Sequence, residues 1–211
     1  MSSTPSPSTT RWLGILAGVA VLALLVVFAV LLPRTTDGAG AEEPLGLPDT
    51  LPGGYVAADL DRAFAGQYDE DQAETLSGRQ ASAREHADDV LGEVYDHAAA
   101  SRTYASEDLS QAVFVQAFRA AGGAFAPEMI SEEGAGSTGA ATQELVREGD
   151  AVCIVQRQAV DPAAGAPADA DTPSYVECQR SEDELTVQAT ASSIAPEDLV
   201  ALVDAAWESV A

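Results

Sequence analysis

The sequence predicts an α+β protein: an N-terminal transmembrane helix, then a single domain whose antiparallel sheet of about five strands is packed by a long middle helix and a C-terminal helix. Three observations predict it. Trp12 to Leu32 is a run of 21 residues without a charge, about the length that crosses a bilayer as a helix. Beyond residue 110, short segments rich in Val, Phe and Ile alternate with turn-forming residues, the pattern of strands joined by hairpins. Residues 69–97 and 196–210 instead place apolar residues at three- and four-residue steps, as helices lying on a sheet do.

The chain opens with a tail, residues 1–11, that is Ser/Thr/Pro-rich and almost without apolar side chains. It has too little surface to bury to offset the entropy of ordering, so it is expected to be disordered and cytoplasmic. The transmembrane helix follows over 12–32. An uncleaved signal anchor and a cleavable signal peptide are the two readings of such a run. Ala39-Gly40-Ala41 resembles a small-residue cleavage site, but the run exceeds the roughly 7–15 residues of a signal-peptide core, which favours the anchor. Arg11 and Arg34 flank the span almost symmetrically, so loop charge alone does not orient it. The folding-competent remainder and both cysteines lie on the C-terminal side, which places the N-terminus in the cytoplasm and residues 33–211 outside. Residues 33–54 hold four prolines and five glycines with no apolar period, and are expected as a flexible linker. The extracytoplasmic domain then spans 55–211.

All 34 acidic residues and all but one of the ten basic ones follow the span, and the whole chain carries a formal charge of −24. Nucleic acid is excluded as a partner, because phosphate binding needs Lys and Arg to displace counterions. An anionic lipid surface repels such a domain too. Cations, a basic protein, an envelope polymer, or solubility alone remain as explanations of the charge.

In chain order, Tyr55–Leu60, bounded by Gly53-Gly54, reads as a first strand. The middle helix over 69–97 presents Ala73, Leu76, Ala83, Ala87, Val90 and Val94 as a stripe to pack on the sheet, with Gly78 a candidate break. Gln111–Arg119 alternates Ala112, Phe114 and Phe118 with Val113, Val115 and Ala117, and a strand apolar on both faces belongs inside a sheet. Residues 144–147 and 151–156 flank Glu148-Gly149-Asp150, and residues 174–179 and 185–189 flank Ser181–Glu184; each pair is expected as a hairpin. Residues 161–173 are a loop by composition. The closing helix, 196–210, carries Leu199, Leu202, Val203, Ala206 and Val210 on one face and Trp207 near the sheet edge. Pro196 suits its first turn, and Glu197 and Asp198 suit its positive end.

Cys153 and Cys178 each fall mid-strand, 25 positions apart. Outside the cytoplasm an even pair is expected as a structural disulfide, and the separation does not suit a redox C-x-x-C pair.

No complete catalytic set is legible. Gly134–Gly139 matches G-x-G-x-x-G and Asp161 falls near the spacing of a ribose-binding acid, but Glu132 and Glu133 put negative charge where a phosphate would sit. Ser137 lacks the first glycine of a nucleophile elbow, and the only histidines are His86 and His97. Lysine is absent, which removes Ser–Lys catalysis and the P-loop. Metal is the remaining candidate. Ideal helical geometry places His86, Asp89, Glu93 and His97 within an arc of about 80°, but over about 16 Å of rise, too long for one ion. His86, Glu93 and His97 are therefore weak zinc-type candidates that need a ligand from elsewhere. Asp69, Glu70 and Asp71 begin like a calcium loop but no glycine follows at its sixth position. No metal and no cofactor is expected.

The lysine-free Ala/Gly/Arg usage, the tail–span–linker order, the LPDTLPGGY stretch from Leu47 to Tyr55, and the strands Ala151-Val152-Cys153 and Val176-Glu177-Cys178 ahead of a Trp-containing helix form one layout. This layout resembles the small uncharacterised single-pass extracytoplasmic proteins of high-GC actinobacteria, and the resemblance implies no activity. Two functions follow: a non-catalytic module that binds a protein, envelope polymer or cation at the cell surface, or an extracytoplasmic metal-dependent or hydrolytic enzyme built around His86 or His97.

Overall fold

The computed structural model describes residues 44–127, 130–131, 141–158 and 172–211, all inside the unit Glu43–Ala211. The tail at 1–11, the transmembrane helix at 12–32, the first half of the linker, Gly134–Gly139 with Ser137, and Asp161 lie outside the described residues. Among the described residues no helix is long and apolar enough to cross a membrane.

The elements are β1 (Thr50–Leu51), β2 (Tyr55–Ala57), α1 (Glu70–Tyr95), β3 (Ala99–Ala105), β4 (Ala112–Phe118), β5 (Thr142–Glu148), β6 (Ala151–Arg157), β7 (Tyr175–Glu182), β8 (Leu185–Ala191) and α2 (Pro196–Val210). The class is α+β with an antiparallel sheet, as expected, but the described residues form eight strands rather than about five. Their order, β1-β2-β3-β4-β8-β7-β6-β5, is two four-stranded meanders joined where β8 lies along β4. Hydrophobic Val113, Val115 and Ala117 accordingly sit fully buried in a central strand.

The strands that composition hid are β1 and β3. Strand β3 reads AASRTYA, alanine-rich with an arginine at its centre, and intrinsic β-propensity is weak there. Pairing overrides it: every residue from Ala99 to Ala105 is matched to β4, Ala99 to Phe118 and Ala105 to Ala112.

The linker boundary moves as well. Leu51 is buried, Leu45 and Leu47 pack on the core, and the Pro52–Gly54 3-10 turn joins β1 to β2. Proline and glycine in residues 44–54 therefore shape a tight turn, and the fold begins ahead of Tyr55.

Side chains alternate across the sheet. One face carries Val113, Val115, Val187, Ala189, Val176 and Val155, and α2 lays Leu199, Leu202, Val203, Ala206 and Val210 on it. Trp207 is buried with them, and the Arg180 guanidinium lies 4.5 Å from its ring centre while bonding Asp204 Oδ1 at 2.8 Å. Cys153 and Cys178 are directly opposite on β6 and β7 of this face, Cα atoms 4.1 Å apart, and are joined. Closing that loop stabilises the fold by roughly 3 kcal/mol in the chain-entropy model.

The opposite face is mixed, polar along Gln116, Gln188 and Gln179 and apolar at Phe114, Phe118 and Ile154, and α1 covers its β3–β4 side. The helix runs unbroken through Gly78 from its cap at Asp69, whose Oδ1 accepts from the Gln72 amide at 2.9 Å. Asp69 thus serves as the helix cap. The stripe expected to face the sheet is turned outward at its end, with Val90 42% and Val94 69% exposed. Earlier along the helix the stripe does face inward, with Ala73 buried and Leu76 and Ala87 half-buried, and Ser77, Arg84 and Asp88 lie beside them. Ser77 bonds Asp61, Arg84 bonds Asp59, and Asp88 Oδ1 accepts from the Ser101 amide at 2.6 Å and its hydroxyl at 2.7 Å. Polar ties and the first part of the stripe set this orientation together, and Val90 and Val94 at the end turn away.

Candidate binding site on the sheet face

Strand register determines what lies on this face. Gln116 is matched to Gln188 and Gln188 to Gln179, so three amides from β4, β8 and β7 stand in one row. The flanking rows match Phe118 to Thr186 to Ser181 and Phe114 to Thr190 to Glu177. At one side α1 ends on this face with Tyr95, whose ring meets Phe118 edge to face at 5.3 Å. Across the face runs the start of the β4–β5 connection, tied down where the Gly122 amide donates to Ser181 Oγ at 2.8 Å. A Cβ at Gly122 would lie 2.5 Å from Ser181 Oγ, so only glycine allows the chain this close to β7. Thr186 Oγ donates to the Ala120 carbonyl at 2.8 Å and secures the same strap from below.

Two hollows flank the strap. One, of about 180 Å³, lies between it and the aromatic pair, and is lined by Tyr95, Phe118, Gly122, Gln179 and Gln188. The other, of about 580 Å³, opens toward β5 and the Gly149-Asp150 turn, and is lined by Phe125, Leu145, Arg147 and Val152. They share Gly122, Gly123 and Gln179. Within the first, the Gln188 nitrogen donates to Gln179 Oε1 at 2.8 Å, and the Gln179 nitrogen reaches the Gly123 carbonyl at 3.5 Å. That arrangement holds both amides side by side while leaving the Gln188 oxygen and one hydrogen on the Gln179 nitrogen for a ligand. In the adjoining row burial raises the Glu177 carboxyl above its usual range. Burial also raises Tyr175, with the Glu177 charge adding to it.

A third enclosure, of about 70 Å³, lies between α1 and β3 beside Asp59, Arg84 and Arg102. It is small and its polar groups are spent on each other. Arg102, 7% exposed, donates from Nε to Asp59 Oδ1 at 2.8 Å and from one terminal nitrogen to the Leu47 and Pro48 carbonyls at 2.8 and 2.9 Å. Burial alone would lower the arginine pKa, but the bond and charge of Asp59 raise it overall. Tyr104, driven upward chiefly by burial, donates to the Pro48 carbonyl at 2.8 Å. This cluster clamps the leading segment to the sheet.

The residues singled out in the sequence are dispersed. His86, Asp89 and Glu93 lie on the exposed side of α1. His97 leaves their arc, because Asp96 turns left-handed at φ 55° and ends the helix at Tyr95. Among the described residues no three His, Cys, Asp or Glu side chains gather as metal ligands would. The G-x-G-x-x-G stretch leads into strand β5 at Thr142 rather than a helix, so the context a dinucleotide needs is missing. Sequence reasoning passed over Gln179 and Gln188, although a two-residue turn at Asp183-Glu184 makes them partners. Gln116, Tyr95 and Phe118 join them only through long-range packing.

The fold and the site together define an antiparallel α+β domain with one apolar face under a helix and one half-open mixed face crossed by a strap. Compared with known proteins, the chain matches no family, no curated protein and no solved structure.

Proposed function

We propose that this protein is a membrane-anchored, non-catalytic binding module whose folded unit stands outside the cytoplasm. The apolar run 12–32 supplies the anchor in this reading, and the Cys153–Cys178 disulfide suits an oxidising compartment. The layout shared with the actinobacterial single-pass proteins accords with it. The observation that carries the binding role is the strapped face: a preformed hollow with two fixed amides, an aromatic wall and a strap placed by Gly122. Amides, hydroxyls and aromatic rings hold ligands by hydrogen bonding and stacking, and none of them exchanges a proton near neutral pH. The alternative, an enzyme built on His86, Glu93 and His97, has less support because these side chains do not converge.

The test is co-sedimentation of the full-length protein in nanodiscs with insoluble, protein-stripped cell-envelope polymer. The native chain is expected in the pellet, and the chain carrying Gln179→Ala with Gln188→Ala in the supernatant. Native protein that stays in the supernatant would refute the binding module.

A further inference from the structure

Resting on the binding-module reading, we infer that the hollow beside Tyr95 and Phe118 takes a neutral sugar unit, and that the ligand is an uncharged oligosaccharide. Charge is the first argument. With 34 acidic against ten basic residues, the protein's field repels anionic ligands. The hollow itself is lined by Tyr95, Phe118, Gln179, Gln188 and strap residues, none of them charged. It therefore offers no ion pair to a cation and a repelling field to an anion, and it selects a neutral ligand rich in hydrogen-bonding groups.

The geometry narrows this to a sugar. Gln188 presents an oxygen and Gln179 an N–H on neighbouring strands, from two amides held side by side by their own hydrogen bond. Vicinal hydroxyls, each both donor and acceptor, answer such a donor–acceptor pair. Tyr95 is 52% exposed and braced edge to face by Phe118. It offers an apolar wall for the C–H side of a pyranose and a phenol at its rim. A volume of about 180 Å³ suits one ring. The larger hollow across the strap, sharing Gln179, gives the next units of a chain a place to continue. An extended peptide, by contrast, gains its affinity from a free sheet edge, and this site is on a sheet face.

The experiment titrates full-length protein in nanodiscs by calorimetry with three probes: a glucose tetramer, an N-acetylglucosamine tetramer and an uncharged alanine tetrapeptide amide. Binding of either sugar, weakened at least tenfold by Tyr95→Ala and by Gln188→Ala and retained by Tyr95→Phe, supports the assignment. Tyr95 and Gln188 are partly exposed, and unchanged melting temperatures of the variants show that they fold. Sugar binding indifferent to both substitutions overturns the site. Binding of the peptide in place of both sugars overturns the ligand class and leaves the binding module standing. No binding of any probe, while envelope polymer still sediments the native protein, overturns the sugar assignment alone. Loss of that sedimentation as well brings down the module itself.

Discussion

Helix α2 buries seven of its 15 residues against the sheet, whereas α1, at 26 residues, buries only Ala73 and Ser77. The shorter helix is held by apolar area. At about 25 cal/mol per Å² of buried apolar surface, its Leu, Val and Trp side chains supply a large share of the core's stability. The longer helix is held by a few charged and hydroxyl ties, Ser77 to Asp61, Arg84 to Asp59 and Asp88 to Ser101, each strong only where water is kept away. The difference explains how one sheet serves two purposes. Its apolar face is closed and stabilising, and its other face is covered on one side and left accessible on the other, where a ligand finds the amides of Gln179 and Gln188 beside aromatic and aliphatic side chains.

Substitutions that strike one face at a time test this contrast. The largest effect is expected from Leu199→Ala, which empties a fully buried site under α2. A loss of about 4 kcal/mol in urea unfolding is expected, and a loss below 1 kcal/mol would show that α2 is not the stabilising helix. Arg102→Met comes next, because it strips Asp59 of one partner and leaves the Leu47 carbonyl without its donor, while the Pro48 carbonyl keeps the Tyr104 hydroxyl. About 3 kcal/mol is expected to be lost. Limited proteolysis should then cut first within residues 44–49, and cleavage elsewhere would contradict the clamp.

The smallest effect concerns pH and the mixed face. Burial raises the Glu177 pKa in the folded state, so the folded protein binds more protons than the unfolded chain between the ordinary glutamate value and the raised one. Stability attributable to this group is therefore greatest below the ordinary value and declines as pH rises through that window. Glu177→Gln removes the decline. The variant should match the native protein at acid pH and exceed it slightly near pH 7 in the urea midpoint. An unchanged difference across pH would mean that Glu177 is solvated.

Much of the second half of the molecule was legible in the sequence. Hairpin β5–β6 follows from Gly149, which takes φ 56° at its turn, and α2 follows from Pro196 and its apolar period. Central β4 follows from apolar residues on both faces, and the disulfide from two mid-strand cysteines. The first half was read less well. Strand β3 has weak propensity and β1 only two residues, and the stripe on α1 held at Ala73, Leu76 and Ala87 but failed at Val90 and Val94, which are exposed. A hydrophobic period records apolar side chains but not the partners of Ser77, Arg84 and Asp88, which lie at Asp61, Asp59 and Ser101, elements away in sequence.

The sequence by itself determined the α+β class, the antiparallel hairpins, the C-terminal helix and its buried face, and the pairing of Cys153 with Cys178. The elements rest on short-range periodicity or turn chemistry, whose physics is complete within a few residues, and the disulfide on there being only two cysteines to pair. Only the tertiary structure decided that β8 lies beside β4, which brings Gln116 to Gln188 and Gln179. It alone decided that α1 stops at Tyr95 over Phe118 and that the strap at Gly122 comes down on Ser181. The candidate site depends on those three decisions, because its parts come from distant segments that meet only once the sheet is assembled.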